Sequence, residues 1–329
     1  LSRTSWRARL QAVQEIVRSR DPSRRGLLID ALKDRSNFVV AASAEALAAS
    51  PGEDLINPLM ERYRWFDEDG KKRDVTCVAR IAIVSALVAC RAVEAGDIYL
   101  RAIRTSQIEP SGMGLEDVAV PLRIKAANAL AEFRIPGALV ALAILLVDDT
   151  AAARLAAIQA LHHLGDPGAV ALLAMRLAEP GSEDPEVLVA CMDALVSLDP
   201  QTALQVVSPF LSDADPYLVA GAATALAGAD RFYHEKVLAL LEESLNHTAA
   251  EAREAVVLAM ASMRSDAVTE SLSRLTDHPK EAVRLAAVRA LEQRADPQSV
   301  HLLEKLADRP SDRRVCQEAK RILARLAPL

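Results

Sequence analysis

The chain has 329 residues, 51% of them apolar but only 3% aromatic, and a net charge of −6. Alanine and leucine supply most of the apolar content, which suits closely packed helices and excludes a sheet sandwich filled by β-branched and aromatic residues. Charges interrupt every run before it reaches the ~20 apolar residues of a membrane-spanning helix, so no membrane insertion is expected.

The charge is unevenly spread. Residues 1–35 carry a net +5 and residues 274–329 a net +4, leaving −15 for the stretch between them. Phosphate binding along the array would need continuous cationic surface, so the acidic centre disfavours a nucleic-acid partner. The basic ends read as solvated caps of terminal units. Cys77, Cys90, Cys191 and Cys316 form no Cys-x-x-Cys pair and show no metal-type spacing with histidine. Buried thiols in a reducing compartment, and therefore a cytoplasmic location, are the expectation. The chain opens on Leu1 rather than methionine, which leaves room for a preceding segment.

An internal duplication organises the whole chain. Arg154-Leu155-Ala156-Ala157-Ile158, Ala160-Leu161, Asp166-Pro167 and Leu172-Leu173 return as Arg284-Leu285-Ala286-Ala287-Val288, Ala290-Leu291, Asp296-Pro297 and Leu302-Leu303. Self-similarity at a fixed spacing marks one supersecondary unit copied along the chain. An Ala-Leu or Ala-Met step recurs at 46, 86, 129, 160, 194, 225, 259 and 290, giving intervals of 40, 43, 31, 34, 31, 34 and 31. An interval of 31–34 holds one helix pair with two short turns. The first two intervals therefore carry insertions of about ten residues each.

The second helix of each pair is predicted near 4–18, 37–49, 75–92, 119–134, 150–164, 185–198, 216–228, 249–263, 280–294 and 312–326. First helices are predicted near 23–33, 53–64, 95–105, 136–147, 168–178, 201–211, 231–245, 266–275 and 298–307. The two insertions fall between first and second helices, as loops at 64–74 and 106–118. A smaller acidic loop at 179–185 reads as a turn.

Seven residues before the leucine or methionine of the step stands arginine in five repeats: Arg80, Arg123, Arg154, Arg253 and Arg284. Aspartate lies six residues ahead of that position in Asp34, Asp74, Asp117, Asp148 and Asp213, and seven ahead in Asp277. Such an aspartate can accept the orphan amides of a helix start, and the arginine can reach the turn of a stacked neighbour, so together they predict a structural ladder. Asp-Pro at 21–22, 166–167, 199–200 and 296–297 sets a cap and a first helical position.

Paired helices with aspartate in the inner turn, arginine early in the second helix and Asp-Pro after it resemble HEAT repeats, particularly the short bacterial form of phycobilisome-lyase-type proteins. The resemblance runs from about Trp6 to Leu326, is sharpest over 148–173 and 277–303, and lapses at Leu188 and Val219, where the ladder arginine is missing. It implies an all-α α-solenoid of about nine to ten pairs, one continuous array over 1–329. Its superhelix would be right-handed, with second helices lining a concave face that holds other proteins. The segment from Cys77 to Leu87, followed by Gln107-Ile108-Glu109-Pro110, also resembles an uncharacterised bacterial subgroup.

Function is read mainly from the insertions, because extra residues in a repeat map to loops on one edge. Trp65, Phe66, Lys71, Lys72 and Arg73 in the first and Met113 and Leu115 in the second combine the aromatic, methionine and cationic character of binding hot spots. The competing reading has Trp65, Phe66, Met113 and Leu115 folding back over their own helices. A protein partner on this edge or on the concave face is the leading expectation, with no cofactor and no catalysis. The alternatives suggested by the resemblance are an iron hydroxylase, a bilin lyase or a DNA-glycosylase-type protein. The hydroxylase needs several His-Glu dyads, and this chain has only His234-Glu235, whose spacing to Leu238 and Leu241 favours packing. His162-His163 beside Gly165 suits a helix end without chemistry. The glycosylase needs a basic, aromatic cleft, for which only Trp6 with Arg3, Arg7 and Arg9 is available, and no residue marks a lyase.

Overall fold

A computed structural model of the protein describes residues 5–19, 21–112, 114–246, 248, 250–309 and 312–326. The chain divides into two compact units, Leu1–Asp166 and Pro167–Leu329. In a solenoid each pair packs on its sequence neighbours, so there is no single core to unite the chain.

The first unit contains α1 (Trp6–Ser19), α2 (Arg25–Ala31), α3 (Asn37–Ala48), α4 (Ile56–Asp67), α5 (Gly70–Arg73), α6 (Val78–Ala89) and α7 (Gly96–Ala102). A hairpin of β1 (Ile108–Ser111) and β2 (Gly114–Asp117) follows, then α8 (Val120–Glu132), α9 (Ala138–Leu145) and α10 (Ala151–Leu164). The second helices α1, α3, α6, α8 and α10 stack in that order, and α4, α7 and α9 pack against them as a second layer. Alanines on the stacked faces, such as Ala44, Ala82, Ala86, Ala126 and Ala157, are buried and let the helices approach closely. Between them lie fully buried leucines such as Leu47, Leu87 and Leu130, each contributing about 1.5–3 kcal/mol by leaving water.

The second unit contains α11 (Pro167–Ala178), α12 (Pro185–Leu198), α13 (Pro200–Val206), α14 (Pro216–Ala227) and α15 (His234–Ser244). It ends with α16 (Ala250–Ser262), α17 (Asp266–Leu275), α18 (Glu281–Arg294), α19 (Pro297–Ala307) and α20 (Arg313–Leu326). Its second helices α12, α14, α16, α18 and α20 stack likewise. The expected Asp-Pro caps operate here: Asp199 accepts from the Gln201 amide at 3.1 Å and Asp296 from the Ser299 amide at 2.7 Å, with proline next in line. Asp184 caps α12 in the same way, so the acidic turn at 179–185 has a capping task. Pro209, which lacks an amide proton, is where the predicted helix 201–211 gives way to a 3₁₀ turn, Ser208–Ser212.

Both insertions are more ordered than loops. Helix α4 continues through Arg64, Trp65 and Phe66, and α5 occupies the rest of the first insertion. The second is the hairpin, with Pro110 opposite Leu115 and Ser111 opposite Gly114. The fold is an all-α solenoid carrying this one short sheet among the described residues.

Candidate functional site

The first insertion turns its aromatic residues inward. Phe66 is fully buried, and Trp65, partly buried, meets it edge to face at 4.9 Å between centroids. The Arg62 guanidinium lies 3.8 Å and that of Arg73 4.5 Å from the Trp65 ring centre, a cation–π arrangement that occupies the indole. Arg73 also donates to the Trp65 carbonyl at 2.6 Å and pairs with Glu68 at 2.6 Å. Trp65 and Phe66 thus cover the end of their own helix, and Phe66 offers no surface to a partner. Lys71 and Lys72 remain exposed, Lys72 within 3.2 Å of Asp69.

A buried polar cluster fastens the two insertions together. Asp74, with no exposed surface, accepts from the amides of Ala79 at 2.9 Å and Arg80 at 3.0 Å and from Arg80 Nε at 3.1 Å, which caps α6. Arg80 Nη1 stands 3.5 Å from Asp67, and Nη2 donates to Gln107 Oε1. Gln107 Nε2 in turn donates to the Asp74 carbonyl at 2.8 Å and to Glu109 at 2.5 Å. Glu109 receives the Thr76 amide at 3.0 Å. Thr76 and Cys77 both sit in the left-handed region, at φ 63° and 59°, which costs a β-branched residue energy unless its surroundings hold it there. Gly70 completes the joint: a Cβ here would stand 2.8 Å from both Arg80 Cζ and Gln107 Oε1.

The hairpin projects from this joint. Cross-strand pairing puts Ile108, Pro110 and Leu115 on one face and Glu109 on the other, turned toward Thr76. Leu115 is 78% exposed, Ile108 46%, and neighbouring Val75 46%. Met113 lies outside the described residues. Ile108 and Val75 are not among the residues expected from the sequence to bind, although alternation in Ile108-Glu109-Pro110-Ser111 ahead of Gly112 is a hairpin signal.

The ladder forms in part, and it runs forward. Arg9 donates to Asp34 at 2.6 Å, Arg123 to Asp148 at 3.1 Å and Arg284 to Asp312 at 2.7 Å, each reaching the inner turn of the following pair. Arg123 also holds its own Asp117 at 2.7 Å, and Asp117 accepts the Gln107 amide at 2.8 Å, closing the base of the hairpin. Arg154 donates to the carbonyl of Asp148 at 2.7 Å. Arg80 departs from the ladder, because Gln107 stands where the next repeat's aspartate would be met. Arg253 makes no ion pair among the described residues.

His234 is buried, with Nε2 3.1 Å from the Ala229 carbonyl. His162 and His163 sit in the last turn of α10, closed by Gly165 at φ 63°. Among the described residues no three His, Cys, Asp or Glu side chains gather as a metal site, and no helix is long and apolar enough to cross a membrane.

Stacked helix pairs tied by an arginine–aspartate ladder define an α-solenoid. Residues 180–261 and 238–324 match HEAT repeats, so this stretch of the chain carries HEAT repeats. No curated protein matches its sequence. Among solved structures it is similar to the karyopherin Kap121p bound to the extreme C-terminus of the protein phosphatase Cdc14p. That match has a TM-score of 0.54 and 15% identity over 97% of this chain and 42% of the karyopherin chain. It also matches the complex of CpcE and CpcF of phycocyanin lyase from Nostoc sp. PCC7120, at 19% identity over 86% of this chain and 94% of that one, with a TM-score of 0.36. Human deoxyhypusine hydroxylase matches at 17% identity over 73% of this chain and 98% of that one, with a TM-score of 0.34. The karyopherin match, at 15% identity, is a similarity of fold alone.

Proposed function

We propose that this chain is a non-catalytic scaffold that holds a protein partner on the edge where its two insertions join. The observation that carries the reading is the Asp74–Arg80–Gln107–Glu109 cluster, which fixes a hairpin that exposes the apolar Ile108, Pro110 and Leu115 on one face. A surface already ordered before binding loses less conformational entropy on association. Lys71 and Lys72 lie on the adjoining insertion, so the partner presents an apolar centre with an acidic rim. The karyopherin of this fold is bound to a segment of another protein, a use of a solenoid that the proposal shares. We infer a reducing, cytoplasmic setting, in which the four cysteines stay free.

The test is capture from source cells with the wild-type chain and with an Ile108→Ser, Leu115→Ser variant. A protein enriched by wild type and lost with the variant supports the edge. Equal recovery of every captured protein by both would remove it.

A further inference from the structure

The second unit carries a cationic notch that neither the ladder nor the hairpin edge uses. It is formed where three successive inter-pair turns line up: 228–233 before α15, 263–265 before α17 and 295–296 before α19. Arg231, Ser262, Arg264, Ser265, Gln293 and Arg294 line a cavity of about 510 Å³ there. The three arginines follow one another at intervals of 33 and 30 residues, the period of the repeat.

Their roles differ. Arg294 is engaged through all three nitrogens: it donates to Thr269 Oγ1 at 3.0 Å, to Asp296 at 3.1 Å and to the carbonyls of Met263 and Ser265 at 2.8 and 3.2 Å. It builds the floor of the notch by tying two turns together. Arg231 and Arg264 are exposed and make no ion pair or side-chain hydrogen bond among the described residues. Asp296, the carboxylate lining the notch, is occupied by Arg294 and the Ser299 amide.

Single exposed arginines are ordinary, but these two stand in an acidic setting. Residues 167–273 hold five Lys/Arg against sixteen Asp/Glu. Two of those five are left unpaired on the same cavity, and Phe232, next to Arg231 in sequence, is 85% exposed and braced edge to face by Tyr233 at 5.2 Å. Two unpaired guanidiniums over a polar floor, with an exposed phenylalanine next in sequence to one of them, suit carboxylates accompanied by an apolar side chain.

We infer that this notch binds an acidic peptide segment of a protein partner, its carboxylates on Arg231 and Arg264 and an apolar side chain on Phe232. The inference is independent of the hairpin edge, which uses other residues in the other unit. Fluorescence anisotropy with the full chain and a short fluorescein-labelled peptide of glutamates around one phenylalanine tests it. Wild type is expected to bind, and Arg231→Glu with Arg264→Glu to weaken binding on the order of tenfold or more. A control pair at the basic C-terminal helix, Arg313→Glu with Lys320→Glu, is expected to bind as wild type does, and circular dichroism checks that every variant is folded. Equal binding by the Arg231/Arg264 variant, absence of wild-type binding at low salt, or preference for a single-stranded oligothymidylate over the peptide would overturn it.

Discussion

Arg123 on α8 donates to Asp148, at the turn ahead of α10, while holding Asp117 of its own repeat. One guanidinium, 6% exposed, therefore ties two consecutive inner turns and the base of the hairpin. Removing it leaves two partly buried carboxylates without their cation, the situation in which breaking an ion pair is most costly. Arg123→Ala is expected to lower stability by about 3–5 kcal/mol. Arg284→Ala, where the pair with Asp312 is about a fifth exposed, should cost closer to ~1 kcal/mol. Urea denaturation of both variants checks the order; equal losses would show that burial does not set the strength of the ladder.

The same pair predicts a dependence on acid. Burial pushes Asp148 up, but the Thr150 hydroxyl and amide and the Arg123 guanidinium outweigh it and hold the carboxyl below its ordinary 3.8. Asp34, Asp117 and Asp312 are held low as well, with their arginines contributing. A carboxyl lowered in the folded state contributes stability that is complete above the unfolded value and lost as pH falls through the folded one. Thermal stability should therefore lose this contribution below about pH 4, the ordinary carboxylate range, and the loss should be smaller in Arg123→Ala. An identical acid limb in variant and wild type would contradict the assignment.

Gly70 sits where α5 meets the buried cluster. In Gly70→Ala the new methyl would press on Arg80 and Gln107, and overpacking of this kind costs about 1–3 kcal/mol. Gly112→Ala, with nothing within 4 Å of the added Cβ, should stay within about 0.5 kcal/mol of wild type. Melting curves of the two variants side by side decide it.

Burial pushes the thiols of Cys77 and Cys191 up to about 12, so both stay protonated at neutral pH. Cys90 and Cys316 are partly exposed. Titration of the native protein with an aromatic disulfide should therefore modify Cys90 and Cys316 first and reach Cys77 and Cys191 only on unfolding. Modification of Cys77 as fast as Cys90 would place the α6 start in a more open state.

The stacked pairs were legible because their apolar spacing and the aspartate–arginine interval repeat, and repetition reveals a pattern that one copy would hide. The places where the pattern stretches, ahead of Arg80 and Arg123, were legible as interruptions. Their content was not. Trp65 and Phe66 read as part of a loop, either offered to a partner or folded back over their own helix, whereas α4 itself runs on through them and turns them inward because Tyr63 and Phe66 extend its buried stripe. Gln107 carries no signal of its own; its part in holding Arg80 arises only when two insertions from different repeats meet. The left-handed turn at Thr76 and Cys77 likewise depends on Glu109, far away in sequence. Arg231 and Arg264 converge only because the turns stack.

We propose that a partner binds the edge formed by the joined insertions. Hydrogen–deuterium exchange of the chain, alone and in complex with the partner it captures, tests this most directly. New protection is expected at residues 70–77 and 106–118. Protection confined to the second helices, with both insertions exchanging as in the free chain, would contradict it.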